Sequence, residues 1–260
     1  HAFKYAGVKD ADIVRTNEVA EADKAMDEGK YVATTNSNLI SQCRPVEVAI
    51  DATGVPDVGA KVATDAINNK KHVVMLNVET DVVIGPLLDK MAKDNGVIYT
   101  GSAGDEPGAV MELYDFATAM GLEVKVMGKG KNNRIDKNCN PDTVLEEATR
   151  RKMSPKMLCA FKDGTKTMVE MTAMSNATGL VPDVIGGHGI ASDVKSLNET
   201  YKLKEDGGIL KQHGVVEYVN GIAPGVFVTV ATDNEEIAYQ MQYHSMGPGP
   251  LWTLYRPYHL

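Results

Sequence analysis

The sequence predicts an α/β fold, an open parallel sheet followed by a second, mixed α/β domain. Three apolar runs of strand length, Val46–Asp51, His72–Leu76 and Gly96–Tyr99, each pass into small, polar, turn-forming residues. Between them lie two helix-length segments with apolar residues at helical spacing, Gly59–Asn69 and Ile84–Asn95. Strand, helix, strand, helix, strand at this pitch requires crossover connections between parallel strands. Open parallel sheets bind ligands at the carboxyl ends of their strands. The loops Ala52-Thr53-Gly54-Val55-Pro56, Asn77-Val78-Glu79-Thr80-Asp81 and Thr100 to Gly108 are therefore expected to line a crevice for a nucleotide-like ligand.

The other elements follow in order. A short helix and the run Asp12-Ile13-Val14-Arg15 open the chain, then a helix Val19–Glu28 with Gly29 as its C-cap, then a strand at Tyr31–Thr35. This reads as the middle of a nucleotide-binding fold, after its phosphate-binding turn, because no Gly-x-Gly-x-x-Gly follows a first strand. The chain starts with His1 rather than Met and stops in the aromatic-rich run Trp252 to Leu260, so both ends read as cut from a longer protein. A helix Val110–Met120 ends at Gly121, and Leu122–Met127 is the next strand. Gly128–Asn140 holds two Gly, four Lys or Arg and four Asn with almost nothing apolar, which reads as a loop. Thr143–Lys152 is a helix opened by Pro141-Asp142. Asp163–Thr178 is the strongest helix of the second half, capped by Asp163 or Thr165 and ended by Gly179. Val215–Val219 and Phe227–Ala231 are strands. The expected domains are residues 1–127, residues 128–233, and a segment 234–260 returning to the first domain.

Composition narrows the function. With 43% apolar and 24% charged residues the chain is globular, and its formal charge of -8 argues against a nucleic-acid partner. No apolar run is long enough to span a membrane, and the N-terminus lacks a signal peptide. Cys43, Cys139 and Cys159 have no metal-ligand spacing and read as structural thiols of a reducing, cytoplasmic compartment.

Several residue groups carry possible chemistry. Ala52, Thr53, Gly54 and Val55 leave room for a flat ring or ribose against the backbone. Asn77 and Glu79, just past the next strand, are placed to bond a ligand or to cap the following turn. Asp105 and Glu106, after Gly104, open a helix; they suit capping, substrate hydroxyls or a divalent metal. Gly128-Lys129-Gly130-Lys131-Asn132-Asn133-Arg134 offers backbone N–H groups, cations and amides suited to a phosphate or carboxylate on a small substrate. Lys166 and Glu170 share one helix face, where Lys166 suits a proton donor to a carbonyl oxygen or half of an exposed ion pair. None of the six His pairs with another at ligand spacing, and His188 lies in the flexible run Gly186-Gly187-His188-Gly189.

The stretches Val48 to Gly54, His72 to Asn77, Gly104 to Ala109, Gly128 to Asn133 and Asp163 to Met171 together resemble the homoserine dehydrogenase-like oxidoreductases. The branch they are most similar to carries a C-terminal SAF domain and includes the type II, DXR-like 1-deoxy-D-xylulose 5-phosphate reductoisomerases. The resemblance runs through Tyr255-Arg256-Pro257-Tyr258-His259-Leu260. It implies an NAD(P)-dependent oxidoreductase, with a Rossmann domain whose N-terminal part is missing here and an α/β catalytic and dimerisation domain. Homoserine dehydrogenases carry a lysine directly after the Asn of the second strand end; here that place is Val78. The acidic metal-binding motif of the common reductoisomerases is not visible in the sequence.

On this reading NADP or NAD lies along Ala52, Thr53, Gly54, Val55, Asn77, Glu79 and Gly104. A small hydroxylated or phosphorylated substrate sits against Lys129, Lys131, Asn132 and Asn133. Lys166 donates the proton, and Glu170 with Asp105 or Glu106 orients it. A divalent metal belongs only to a reductoisomerase-like activity. The expected assembly is a homodimer or higher homo-oligomer. A different class, a ligand-sensing or assembly protein that kept the fold, is the alternative.

Overall fold

Strands and helices alternate along most of the chain. The computed structural model, which describes residues 2–257, gathers them into two compact units, residues 1–102 and 103–260. The first unit contains α1 (Ala2–Tyr5), β1 (Ile13–Arg15), α2 (Val19–Asp27), β2 (Tyr31–Ala33), α3 (Asn38–Gln42), β3 (Val48–Asp51), α4 (Pro56–Asn68), β4 (His72–Met75), α5 (Val78–Asn95) and β5 (Tyr99–Gly101). β1 and β2 form a parallel pair, and β3, β4 and β5 a parallel sheet in that order. Connecting helices between parallel neighbours are what the alternating spacing requires.

The core of this unit follows from the strand period of two. Ala49, Val73 and Met75 point to one face, against Ala63, Ala66 and Ile67 of α4 and Leu88 and Ala92 of α5. Small residues bring α4 close to the strand ends: a Cβ at Gly59 would stand 2.2 Å from Thr80 Oγ1 and 2.5 Å from Asp51 Oδ2. α5 starts six residues before its apolar spacing does, because the Asn77 side chain accepts from Thr80 N and caps it. Gly96, at φ 70°, closes it in the left-handed conformation.

The second unit contains α6 (Glu106–Ala119), β6 (Glu123–Lys131), α7 (Leu145–Arg151), α8 (Pro155–Lys162), α9 (Thr165–Thr178), β7 (Ile190–Ala191), α10 (Leu197–Thr200), β8 (Val215–Asn220), β9 (Val226–Ala231), α11 (Glu235–Tyr243) and β10 (Trp252–Arg256). Its five-stranded sheet has the order β10-β9-β6-β8-β7, with β6 parallel to β8 and antiparallel to β9. On one face Met127, Val216, Val228, Val230 and Trp252 pack with Ala109, Val110 and Ala117 of α6 and Met171 and Met174 of α9. The other face sets Val126, Val215, Val219 and Phe227 against Leu197, Tyr201 and Leu210. Deleting a buried aromatic such as Trp252 from a core of this kind costs about 3–5 kcal/mol.

One expectation changes at the central strand. The strand expected to end at Met127 continues to Lys131, so Gly128 to Lys131 is the buried end of the central strand and not a loop. Its glycines are there for packing. A Cβ at Gly128 would lie 2.1 Å from the Glu217 carbonyl oxygen and 2.8 Å from the Phe227 ring, and one at Gly130 2.4 Å from Ala223 N. The compact units divide between residues 102 and 103, and α6 packs on β6 and β9 within the second. Of residues 234–260, β10 pairs antiparallel with β9 and packs against α6; Tyr258, His259 and Leu260 lie outside the described residues. Among the described residues, no helix is long and apolar enough to cross a membrane.

Candidate active site

Alternation along β6 turns Met127, Lys129 and Lys131 toward the face covered by α6 and α9. There Lys129 Nζ donates to Glu106 Oε1 at 2.6 Å and to Glu170 Oε2. Glu106 is the first residue of α6, and Asp105 before it is the N-cap, its Oδ1 accepting from Glu106 N at 3.1 Å. Carboxylates are favoured at that end of a helix by the macrodipole. Glu170 lies on α9, and Lys166 stands one turn earlier, half-buried, its charge felt by Asp105. The side chains of Lys129, Glu106 and Glu170 are 7%, 10% and 3% exposed, so the ion pairs operate out of water.

Burial divides the acids. It pushes Glu170 up to about 7, opposed by the charge of Lys129. It pushes Asp105 up to about 6, aided by a hydrogen bond and the charge of Glu106. Burial also acts to raise Glu106, but a hydrogen bond with Asp105 and the charge of Lys129 outweigh it and hold this carboxyl down at about 2. Burial disfavours the charge on Lys129, yet Glu170 and Glu106 more than compensate and raise it. The site thus holds a permanent cation between a carboxylate that stays ionised and a carboxyl that exchanges its proton near neutrality, the combination general acid–base chemistry needs.

The structure therefore brings together Asp105, Glu106, Lys129, Lys166 and Glu170 from three elements. Glu170, expected to orient Lys166 from one turn away, is bonded to Lys129 across 41 positions. Lys131, 5% exposed, donates to the Phe161 carbonyl at 2.8 Å and to Asn133 Oδ1 at 3.2 Å, closing a carbonyl in the last turn of α8. Burial and the charge of Lys129 lower its affinity for its proton. Asn132 and Gly104 are exposed.

Within the first unit, Ala52, Thr53, Gly54 and Val55 form an exposed loop at the carboxyl end of β3, and Gly54 adopts φ 64°. Asn77 is different: fully buried, its Nδ2 donates to Asp51 Oδ2 at 2.9 Å, to Thr53 Oγ1 at 3.2 Å and to the Val55 carbonyl at 3.0 Å. It braces two strand ends and caps α5. Glu79 is half-buried in the first turn of α5. The sequence reading missed Asp51, the buried acceptor of this brace, which also accepts from Thr53 N at 3.0 Å; its place on the inward side of β3 is the signal that marks it. It also missed Glu217. This buried carboxylate accepts His188 N at 3.0 and 2.9 Å and so holds the Gly186 to Gly189 run, while His188 Nε2 lies 2.7 Å from Asp183 Oδ2.

The acidic group that the sequence hides is formed by folding. Oxygens of Asp105, Glu106 and Glu170 all lie within 4.8 Å of one another, a spacing that three ligands of one hard cation would have. The donor set does not fit a resident metal, because the Lys129 ammonium is already bonded to two of the three carboxylates.

Residues 104–260 match the family described as oxidoreductase DRL, catalytic domain. Among solved structures, the chain is similar to a 1-deoxy-D-xylulose 5-phosphate reductoisomerase from Zymomonas mobilis in complex with NADPH, at 12% identity over 64% of this chain and 44% of that one, with a TM-score of 0.42. It is similar to biliverdin reductase from Synechocystis in complex with biliverdin and NADP+ at 17% identity, over 48% and 39% of the two chains, with a TM-score of 0.29. An NAD binding oxidoreductase from Klebsiella pneumoniae shares 16% identity over 50% and 37%, with a TM-score of 0.31. The chain thus spans less than half the length of each, and at these TM-scores none bears on substrate or chemistry. Among curated proteins no match is found. The family match covers more than half of the chain and includes every residue of the Lys129 cluster, and by it the chain belongs to the oxidoreductase DRL catalytic-domain family.

Proposed function

We propose that this oxidoreductase is nicotinamide-dependent and interconverts a small hydroxylated or phosphorylated carbonyl compound and its alcohol. The observation that carries the reading is the buried Lys129 with Glu106 and Glu170, an acid–base centre inside the stretch matched by the family. The exposed, small-residue loop Ala52 to Val55 fits a flat ring against the backbone at a parallel-sheet carboxyl end. A bound nicotinamide supplies hydride chemistry; the protein supplies position, charge and proton.

In the proposed reduction, Lys166 donates a proton to the carbonyl oxygen of the substrate. Lys129 and Lys166 stabilise the negative charge developing on that oxygen, worth more in a buried site than in water. Glu170, exchanging its proton near pH 7, resupplies Lys166. Asp105 and Glu106 bind substrate hydroxyls, while Lys131, Asn132 and Asn133 sit toward a phosphate or carboxylate. Placement in the homoserine dehydrogenase-like branch with SAF-domain relatives, use of NADP or NAD, and a homo-oligomeric enzyme belong to the same proposal. A reductoisomerase-like activity is the second reading; it needs a divalent metal, which the Lys129-occupied carboxylate cluster does not favour.

The test is consumption of NADPH or NADH by the full-length protein with a panel of small hydroxy-carbonyls and phosphorylated ketoses. Lys166→Ala is expected to lower kcat by about 10²–10⁴ while cofactor affinity is retained. Turnover unchanged by that substitution would remove Lys166 from the role of acid.

A further inference from the structure

We propose that Lys129 is a built-in cation: its ammonium takes the place a divalent ion would fill among Asp105, Glu106 and Glu170, so the cluster works without a bound metal. The inference does not depend on the nicotinamide reading. It starts from spacing. Hard cations sit about 2.0–2.6 Å from their oxygens, so oxygens flanking one ion lie within roughly 5 Å of one another. The three carboxylates meet that limit at 4.8 Å, although Glu170 is separated from the other two by more than sixty positions of sequence. Sequence-distant acids converge like this when they share a cation. Here the cation is covalently part of the chain.

Lys129 is held there from both ends. Its backbone lies in the central strand, opposite Tyr218 on one side and Val226 on the other. Its ammonium is bonded to Glu106 Oε1 at 2.6 Å and to Glu170 Oε2. With the side chain 7% exposed, withdrawing it would leave two buried carboxylates uncompensated. A divalent ion entering beside it would meet a like charge at contact distance, and Lys166 adds a second cation acting on Asp105. The role left to Lys129 is the one a metal serves elsewhere, a fixed positive charge facing an oxygen that becomes negative. An ammonium on a stem also differs from a metal in not dissociating, so chelation has nothing to remove.

The test is binding of Mn²⁺ alone, followed by electron paramagnetic resonance of the free ion, to the full-length protein and to Lys129→Ala, Glu170→Gln and the double variant. Wild type is expected to show no affinity at this cluster tighter than about 1 mM. Lys129→Ala is expected to gain at least about tenfold, and adding Glu170→Gln is expected to abolish the gain. Weak wild-type binding that Glu170→Gln leaves unchanged lies elsewhere and agrees with the proposal. Wild-type binding weakened about tenfold by Glu170→Gln would overturn it, since the triad would then hold a metal despite Lys129. A folded Lys129→Ala that gains no affinity would overturn it too. Should Lys129→Ala fail to fold, as circular dichroism will show, the wild type and Glu170→Gln decide alone. Binding is read without turnover, so failure here is distinct from failure of the dehydrogenase reading.

Discussion

Replacing Lys129 with methionine keeps most of the side-chain volume and deletes one buried charge. Two carboxylates then lose their partner. Glu106, held at about 2 against an ordinary 4.5, is stabilised by roughly 3 kcal/mol, shared between the hydrogen bond with Asp105 and the charge of Lys129. Glu170, already at about 7, loses the largest charge that pulls it down and rises further. One-sided removal of a buried ion-pair partner costs about 3–5 kcal/mol, a large part of an ordinary domain's stability. The cost depends on pH in a definite sense. In the wild type the folded state stops taking up the Glu170 proton once pH exceeds about 7, whereas in the variant uptake continues to higher pH. Above pH 7 stability then falls by up to about 1.4 kcal/mol per pH unit in the variant alone, so the loss should be about 1 kcal/mol greater at pH 8 than at pH 6. Trp252, the only tryptophan and buried in the second unit's core, reports urea unfolding by its fluorescence. A loss below about 1 kcal/mol, equal at both pH values, would refute the claim that Lys129 neutralises two ionised side chains.

Other substitutions test other parts of the account. Gly128→Ala forces a Cβ to within 2.1 Å of the Glu217 carbonyl oxygen, whereas Gly101→Ala meets nothing within 4 Å. The first is expected to lose about 3 kcal/mol or more in thermal unfolding and the second to stay within about 1 kcal/mol. Asn77→Ala removes three side-chain donations and a helix cap, so chemical unfolding should show a loss of about 2–4 kcal/mol; a change in ligand affinity with unaltered stability would contradict its bracing role. Glu170→Gln removes a carboxyl whose folded value is raised from 4.5 to about 7, so folding takes up a proton and stability falls as pH rises between those values. Between pH 4.5 and 8 the variant should lose about 2–3 kcal/mol less than the wild type, and parallel stability curves would show that Glu170 is not raised.

The parallel unit was legible because its helices and strands are amphipathic on one face and bounded by strong turn residues. Val48 to Asp51 and His72 to Met75 lie within two of the expected strands, and the helix between them begins with Pro56. The end of β6 was not legible. Gly128, Lys129, Gly130 and Lys131 have the composition of a loop, yet the glycines make room for the Phe227 ring and the Ala223 backbone, Lys129 pairs with carboxylates 23 and 41 positions away, and Lys131 donates to a helix-end carbonyl. No local pattern encodes such partners. For the same reason Asp105 and Glu106 read as a helix-opening pair suited to capping, substrate hydroxyls or a metal and Glu170 as a catalytic neighbour of Lys166, while the clustering of the three carboxylates and the bonds of Glu106 and Glu170 to Lys129 exist only in the folded sheet. Asn77, a polar residue at a strand end that reads as a ligand or as a cap of the next turn, makes both the cap and hydrogen bonds to the neighbouring strand end.

The central claim is that the chain serves a nicotinamide-dependent oxidoreductase. It is tested most directly by titrating NADPH and NADH into the full-length protein and following the fluorescence of the reduced nicotinamide. The account predicts saturable binding of at least one of them, with a dissociation constant in the range of about 1 μM to 1 mM, unaffected by Lys129→Met under conditions where that variant is folded. No binding of either nucleotide would contradict it, and would leave the Lys129 cluster as an acid–base centre serving some other redox partner.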